Sequence, residues 1–155
     1  MAHDTTVRRI ALALTTSLWL AAAGPAAAAD FWRCTEGRWT AVGQPRHPMP
    51  ERPCGSRLAV PREQAGCEAA GGRWGPAGLF PAPICRVPTR DGGRVCADSG
   101  ECEGECLAAP TPAERDRLRS GRPIAATGTC TPHVPVFGCQ ARVVEGVVHG
   151  ILCRD

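Results

Sequence analysis

The chain has no lysine, no asparagine and no tyrosine. These three share AT-rich codons, whereas the abundant Ala, Arg, Gly and Pro have GC-rich ones. The simplest account is a GC-rich bacterial genome. All 18 basic residues are therefore Arg, and that uniformity is not by itself a sign of phosphate recognition. An excess of charge of one sign is also missing. The formal net charge is only +3, which predicts neither nucleic-acid nor membrane-surface binding. Large apolar residues are scarce too. Beyond residue 29, Val, Ile, Leu, Met, Phe and Trp make up about a fifth of the chain, while Gly and Pro make up about a quarter. Such a composition excludes a large oily core and taken alone suggests loops or disorder.

What is present resolves that conflict. There are ten cysteines, all of them after residue 29. The first 29 residues read as an export signal. Arg8 and Arg9 give a positive leader, residues 11–24 an apolar run with Leu12, Leu14, Leu18, Trp19 and Leu20, and residues 26–29 only alanine. The run is short for a membrane span and ends in small residues, so cleavage after Ala29 is expected, leaving Asp30 first and no span in the mature chain. An uncleaved anchor is the competing reading. Cys34 lacks a Leu-rich lipobox, and Val7, Ile10 and Ala11 fit a twin-arginine signal poorly. The predicted location is thus the periplasm or the extracellular space, where an even cysteine count forms disulfides. Each bridge contributes about 2–4 kcal/mol by restricting the unfolded chain, so five can offset a thin core.

Residues 31–42 predict a β-hairpin turning at Glu36-Gly37. Residues 44–53 contain Pro45, Pro48, Pro50 and Pro53 and predict an extended loop closed near Cys54. A short helix carrying Cys67 is expected over residues 61–70, with Pro61 in its first turn and Gly71-Gly72 ending it. Residues 73–83 read as a Gly/Pro-rich stretch, residues 84–87 as a short strand, and Asp91-Gly92-Gly93 as a turn. Residues 95–107 are cysteine-dense and predicted irregular. Thr111-Pro112-Ala113-Glu114 is a capping box for a helix that stops at Gly121, with Leu118 inward. Residues 137–153 predict a second hairpin, with Val143-Val144 and Val147-Val148 flanking Glu145-Gly146. The fold class is therefore small and disulfide-rich, with β-hairpins, irregular loops and one or two short helices. Its parts are the signal (1–29), an N-terminal disulfide hairpin segment (30–60) and a cysteine-rich domain (61–155). Cys34 and Cys67 each precede a Gly-Arg-Trp, at different separations, which is a shared packing device and not a repeat.

Ten cysteines allow 945 pairings, and spacing alone does not decide among them. Pairing across the nearest plausible loops gives Cys34–Cys54, Cys67–Cys85, Cys96–Cys106, Cys102–Cys130 and Cys139–Cys153. The first and last follow from the two hairpins. Cys96, Cys102, Cys106 and Cys130 could exchange partners.

No residue earns a catalytic, cofactor-binding or metal-binding assignment. There is no Cys-x-x-Cys, and the closest pair, Cys102 and Cys106, sits among acids that would raise a thiol pKa. His47, His133 and His149 could join cysteines around zinc, but the spacings match no common ribbon or finger. Asp98, Glu101, Glu103 and Glu105 could offer oxygens to calcium. Their spacing is not that of an EF-hand, and a solvated turn held by two bridges is the expected reading. Arg115, Arg117, Arg119 and Asp116 read as a solvated helix face, with contact to anionic lipid or polysaccharide as the competing one. Trp32, Trp39 and Trp74 read as plugs packed against disulfides. No Gly-x-Ser-x-Gly occurs, and a small loop-rich chain seldom builds a deep cleft.

From Cys67 onward the chain carries one extended pattern. It runs Cys67-x3-Gly71-Gly72-x-Trp74, Cys85, Pro88-Thr89, Asp91-Gly92-Gly93-x2-Cys96, Asp98-Ser99-x2-Cys102-x-Gly104-x-Cys106-Leu107, and Gly138-Cys139 to Leu152-Cys153-x-Asp155. This pattern resembles exported cysteine-rich bacterial proteins of uncharacterised function. The Cys34 to Cys54 segment is similar to short periplasmic hairpin domains. The resemblance implies secretion and disulfides, and no activity. The expectation is a non-enzymatic binding or inhibitory module with an unknown envelope or extracellular partner. A structural or stress-resistance envelope protein and a small secreted hydrolase are the alternatives. A binding module requires an exposed patch, at residues 75–83 or 45–53. A hydrolase requires a cleft with His133 or His149 beside a carboxylate.

Overall fold

A computed structural model describes residues 30–155. The export signal and cleavage site expected over residues 1–29 lie outside the described residues. The chain opens with β1 (Phe31–Thr35) and β2 (Arg38–Val42), an antiparallel hairpin. Glu36 and Gly37 have φ of 52° and 75°. Two successive left-handed residues are what a two-residue turn between twisted strands demands. An irregular stretch follows, then α1 (Gln64–Ala69), β3 (Arg73–Ala77) and β4 (Phe80–Pro88). Next come β5 (Val95–Cys96), a single 3-10 turn (Ser99–Glu101), β6 (Cys106–Ala108) and α2 (Pro112–Arg119). The chain ends with β7 (Ile124–Ala125), β8 (Gly128–Cys130), β9 (His133–Val134), β10 (Gly138–Arg142), β11 (Val147–Val148) and β12 (Leu152–Arg154). The fold is small, disulfide-rich and mostly β, with two short helices.

Five short strands form one antiparallel sheet in the order β12-β10-β6-β8-β5, and β3-β4-β9 form another. Two clusters fill the interior. The larger gathers Leu118, Ile124, Ala141, Val143 and Val148 around Cys96, Cys102, Cys106 and Cys130. The smaller joins Cys67, Cys85 and Val87, with Leu58, Trp74 and Val134 packed on it. Cystine sulfur thus replaces much of the missing aliphatic volume. The bridges are Cys34–Cys54, Cys67–Cys85, Cys96–Cys106, Cys102–Cys130 and Cys139–Cys153, and no described cysteine is free. Among the alternatives open for the central four, the fold takes Cys96–Cys106 and Cys102–Cys130, with sequence separations of 10 and 28.

α2 follows its capping box closely. Thr111 Oγ1 accepts from the Glu114 N–H, and Glu114 Oε2 accepts from the Thr111 N–H at 2.8 Å. Leu118 faces inward and Gly121 takes φ of 73°.

Four expectations need correction. α1 begins three residues later than Pro61, because Glu63 stays extended (φ −129°, ψ 150°) and its side chain makes no cap. Pro61 instead packs beneath Gly66. Residues 73–83 are not merely a Gly/Pro stretch but half of the β3–β4 hairpin, with Gly78 (φ 62°) in the turn and an irregularity between Gly75 and Ala77. The prolines are tolerated because β9 pairs only with Val87 and Pro88, leaving one side of residues 80–86 free of ladder demands. Residues 95–107 hold two strands and a 3-10 turn. Finally, residues 137–153 double back as expected, with β10 antiparallel to β12 and Val144 bridged to Val147, but they are not an isolated hairpin. Glu145 and Gly146 do turn left-handed between Val144 and Val147, but β11 pairs with β7, while β10 lies between β12 and β6.

Candidate functional site

The acidic cluster is the clearest departure from the sequence reading. The turn is held by the two expected bridges, yet it is not solvated. Glu101 is 0% exposed and Glu103 8%. Each acid also has its own partners. Glu101 Oε1 accepts from the Trp32 N–H at 2.7 Å, and Oε2 lies 2.8 Å from His47 Nε2 and accepts from the Ala97 N–H at 3.2 Å. Glu103 accepts from the backbone N–H and Nε of Arg90, at 2.7 and 2.8 Å. Glu105 meets Arg142, and Asp98 accepts from the N–H groups of Gly100 and Glu145. Oxygens spent in four directions do not make a calcium cage. Burial pushes the Glu103 pKa up, but the hydrogen bonds and charge of Arg90 outweigh it and hold it below the ordinary value.

His47 and Trp32 therefore clamp the N-terminal hairpin onto the 3-10 turn. The indole N–H groups of Trp32 and Trp39 donate to the carbonyls of His47 and Arg52, both at 3.0 Å, bracing the proline-rich loop. Both indoles thus brace the loop, with Trp39 directly across the ladder from Cys34, and Trp74 packs on the cluster around Cys67–Cys85 as expected. The clamp was not foreseen, since its two halves lie 54 residues apart in an unremarkable sequence context.

The zinc and hydrolase readings find different surroundings. Cys96, Cys102 and Cys106 bring their sulfurs within 4.8 Å of one another, but all three are spent in bridges. His133 meets no carboxylate. Its Nε2 accepts from Arg86 Nη2, and burial followed by the Arg86 charge lowers its pKa. A histidine accepting at Nε2 is the neutral, Nδ1-protonated form. His149 is exposed.

Both patches considered for binding are partly exposed. In the loop 45–53, Met49 is 51% exposed while Pro50 is buried. At the tip of β3–β4, Leu79 is 83% exposed, and Gly78 is pressed against the Phe137 ring. Beside that tip lies an open groove of about 500 Å³. Trp74, Ile84 and Phe137 line it, with Pro61, Pro83 and Pro135 along the walls. A second, open cleft of about 390 Å³ flanks the same hairpin and holds Arg73, Arg86 and His133. A third, of about 380 Å³, alternates charges: Arg52, Arg90 and Arg94 against Glu51, Asp91 and Glu103. Burial lowers the Arg52 pKa there, ahead of the opposing pull of Asp91.

No protein-family model, curated protein or solved structure matches the chain. Among the described residues no helix is long and apolar enough to cross a membrane.

Proposed function

We propose that the chain is an exported, disulfide-stabilised, non-enzymatic binding or inhibitory module that engages an extended segment of an envelope or extracellular partner. The groove on β3–β4 carries this reading. Its size falls within the ~300–1,000 Å³ typical of ligand sites. Its aromatic and proline walls suit an extended apolar chain better than a reacting group. The Cys67–Cys85 bridge lies at its base, so the groove is rigid before binding and loses little entropy on it. Five bridges suit an oxidising compartment, in line with the predicted signal and with the resemblance to exported cysteine-rich proteins.

Two measurements test this. An intact mass of the exported protein is expected to begin at Asp30 and to be ten hydrogens light. A retained leader or free thiols would remove the secretion argument. A panel of apolar and proline-rich extended peptides should then shift the NMR signals of Trp74 and Phe137, and a Phe137→Ser variant should lose the response. A panel that leaves those signals unmoved overturns the groove reading.

A further inference from the structure

The β3–β4 ladder contains an arrangement that the groove does not explain. Arg73 and Arg86 are direct cross-strand partners, so their side chains project from the same face of the hairpin. Like charges at such positions repel. Six of the sixteen described arginines are ion-paired, among them Arg33 with Glu145, Arg90 with Glu103 and Arg142 with Glu105. Among the described residues, no ion pair includes Arg73 or Arg86. Arg86 carries a second anomaly, since its Nε is buried and has no hydrogen-bond partner. A buried donor without an acceptor is rare in a folded protein and asks for a ligand, an ion or an ordered water.

Both arginines line one cleft of about 390 Å³, with Gly72, Pro88, Pro132 and His133 around them. No carboxylate lines it. Arg73 is exposed, Arg86 and His133 are half-buried, and solvent reaches all three. We infer that Arg73, Arg86 and His133 form a binding site for a tetrahedral oxyanion, the phosphate or sulfate group of a small solute. One such group between the guanidinium forks cancels the cross-strand repulsion. It also offers an acceptor to Arg86 Nε, and planar forks hold such oxygens in pairs. That every base in this chain is Arg carries none of the argument. The directly opposed pair and the orphaned donor carry it, and both hold whether or not the neighbouring groove takes a peptide.

His133 supplies an independent readout. The charged groups facing it are Arg86 on β4 and, across the cleft, Arg73 on β3. With the cleft free of anion, burial and then Arg86 keep the imidazole pKa low. An oxyanion beside it favours the protonated form, so by linkage its pKa rises on binding, and binding tightens as pH falls through that range.

The experiment uses the oxidised, isotope-labelled exported protein, titrated with inorganic phosphate, sulfate and a sugar phosphate, with acetate as a planar control. Saturable shifts at Gly72, Arg73, Arg86 and His133, with an upward move of the His133 titration, are expected. Response to the free ions identifies a solute anion, and response to the sugar phosphate alone an esterified group at the same site. Arg86→Gln should weaken binding by about tenfold or more, the loss of a charge-assisted pair. Arg73→Gln lies on the exposed strand and keeps the test open if Arg86→Gln misfolds; it should weaken binding several-fold. Shifts that never saturate, that acetate reproduces, or that survive both substitutions overturn the site. The peptide titration reads Trp74 and Phe137 instead, so failure of one proposal is separable from failure of the other.

Discussion

At the scale of single residues, Glu101 is the contact on which the N-terminal hairpin depends. Its buried carboxyl group serves two backbone N–H groups and His47, drawn from β1, the loop after β2 and the approach to the 3-10 turn. Truncation would strand all three without water to replace the lost acceptor. Glu101→Ala is therefore expected to cost about 3–5 kcal/mol, the range for breaking a buried hydrogen-bonded charge site, while Glu101→Gln should cost about 1–3. Denaturant titration checks both, and a loss below about 1 kcal/mol for the alanine variant would show that the clamp is not structural. Glu103 gives a prediction in pH. Its folded pKa lies below the ordinary 4.5, so its contribution is present above that value and fades as pH falls through the folded one. Glu103→Gln should flatten the acid limb of the stability profile and leave the slope near neutrality unchanged. An acid limb identical in both proteins would count against Arg90 as the source of the shift.

At the scale of elements, legibility tracked how local the cause was. Glu36-Gly37, Glu145-Gly146 and the Thr111–Glu114 capping box each act within four residues, and each was readable from the sequence. The β3–β4 hairpin was hidden because its prolines speak against a strand unless the neighbouring edge is known to be unpaired, and only the position of β9 reveals that. The pairing of Val147 and Val148 with Ala125 and Ile124, in addition to the Val144–Val147 bridge, has the same nonlocal origin. So does the burial of Glu101, whose partner His47 lies 54 residues upstream. The five-stranded sheet has its own tight point. A Cβ added to Gly128 on β8 would lie 2.5 Å from the Leu107 carbonyl oxygen and 3.0 Å from Cys106 Sγ. Backbone cannot swing aside, so Gly128→Ala must part β8 from β6. A loss of about 1–3 kcal/mol is expected, against little change for Gly150→Ala, where the space is open. Thermal melts of the pair decide it, and equal melting temperatures would mean that the sheet yields at no cost.

At the scale of the whole molecule, the bridges divide by access and not by loop length. Six cysteines, forming Cys67–Cys85, Cys96–Cys106 and Cys102–Cys130, are at most 2% exposed and sit inside the two clusters. Cys34, Cys139 and Cys153 are exposed and Cys54 half-buried, so Cys34–Cys54 and Cys139–Cys153 fasten the ends of the chain from outside. Exchange needs a thiolate to reach a bridge sulfur, so access orders the rates where the fold stays intact. Under native conditions a dithiol reductant should therefore open the two outer bridges first, leaving a three-bridge protein with both clusters in place. Cys96–Cys106 and Cys102–Cys130 should then be lost together, because they share the larger cluster, and Cys67–Cys85 separately with the smaller one. Timed alkylation with peptide mass mapping follows each pair separately. If Cys102–Cys130 is labelled before Cys139–Cys153, the central bridges are not sealed by packing, and their sulfurs must be reachable from solvent in the native fold.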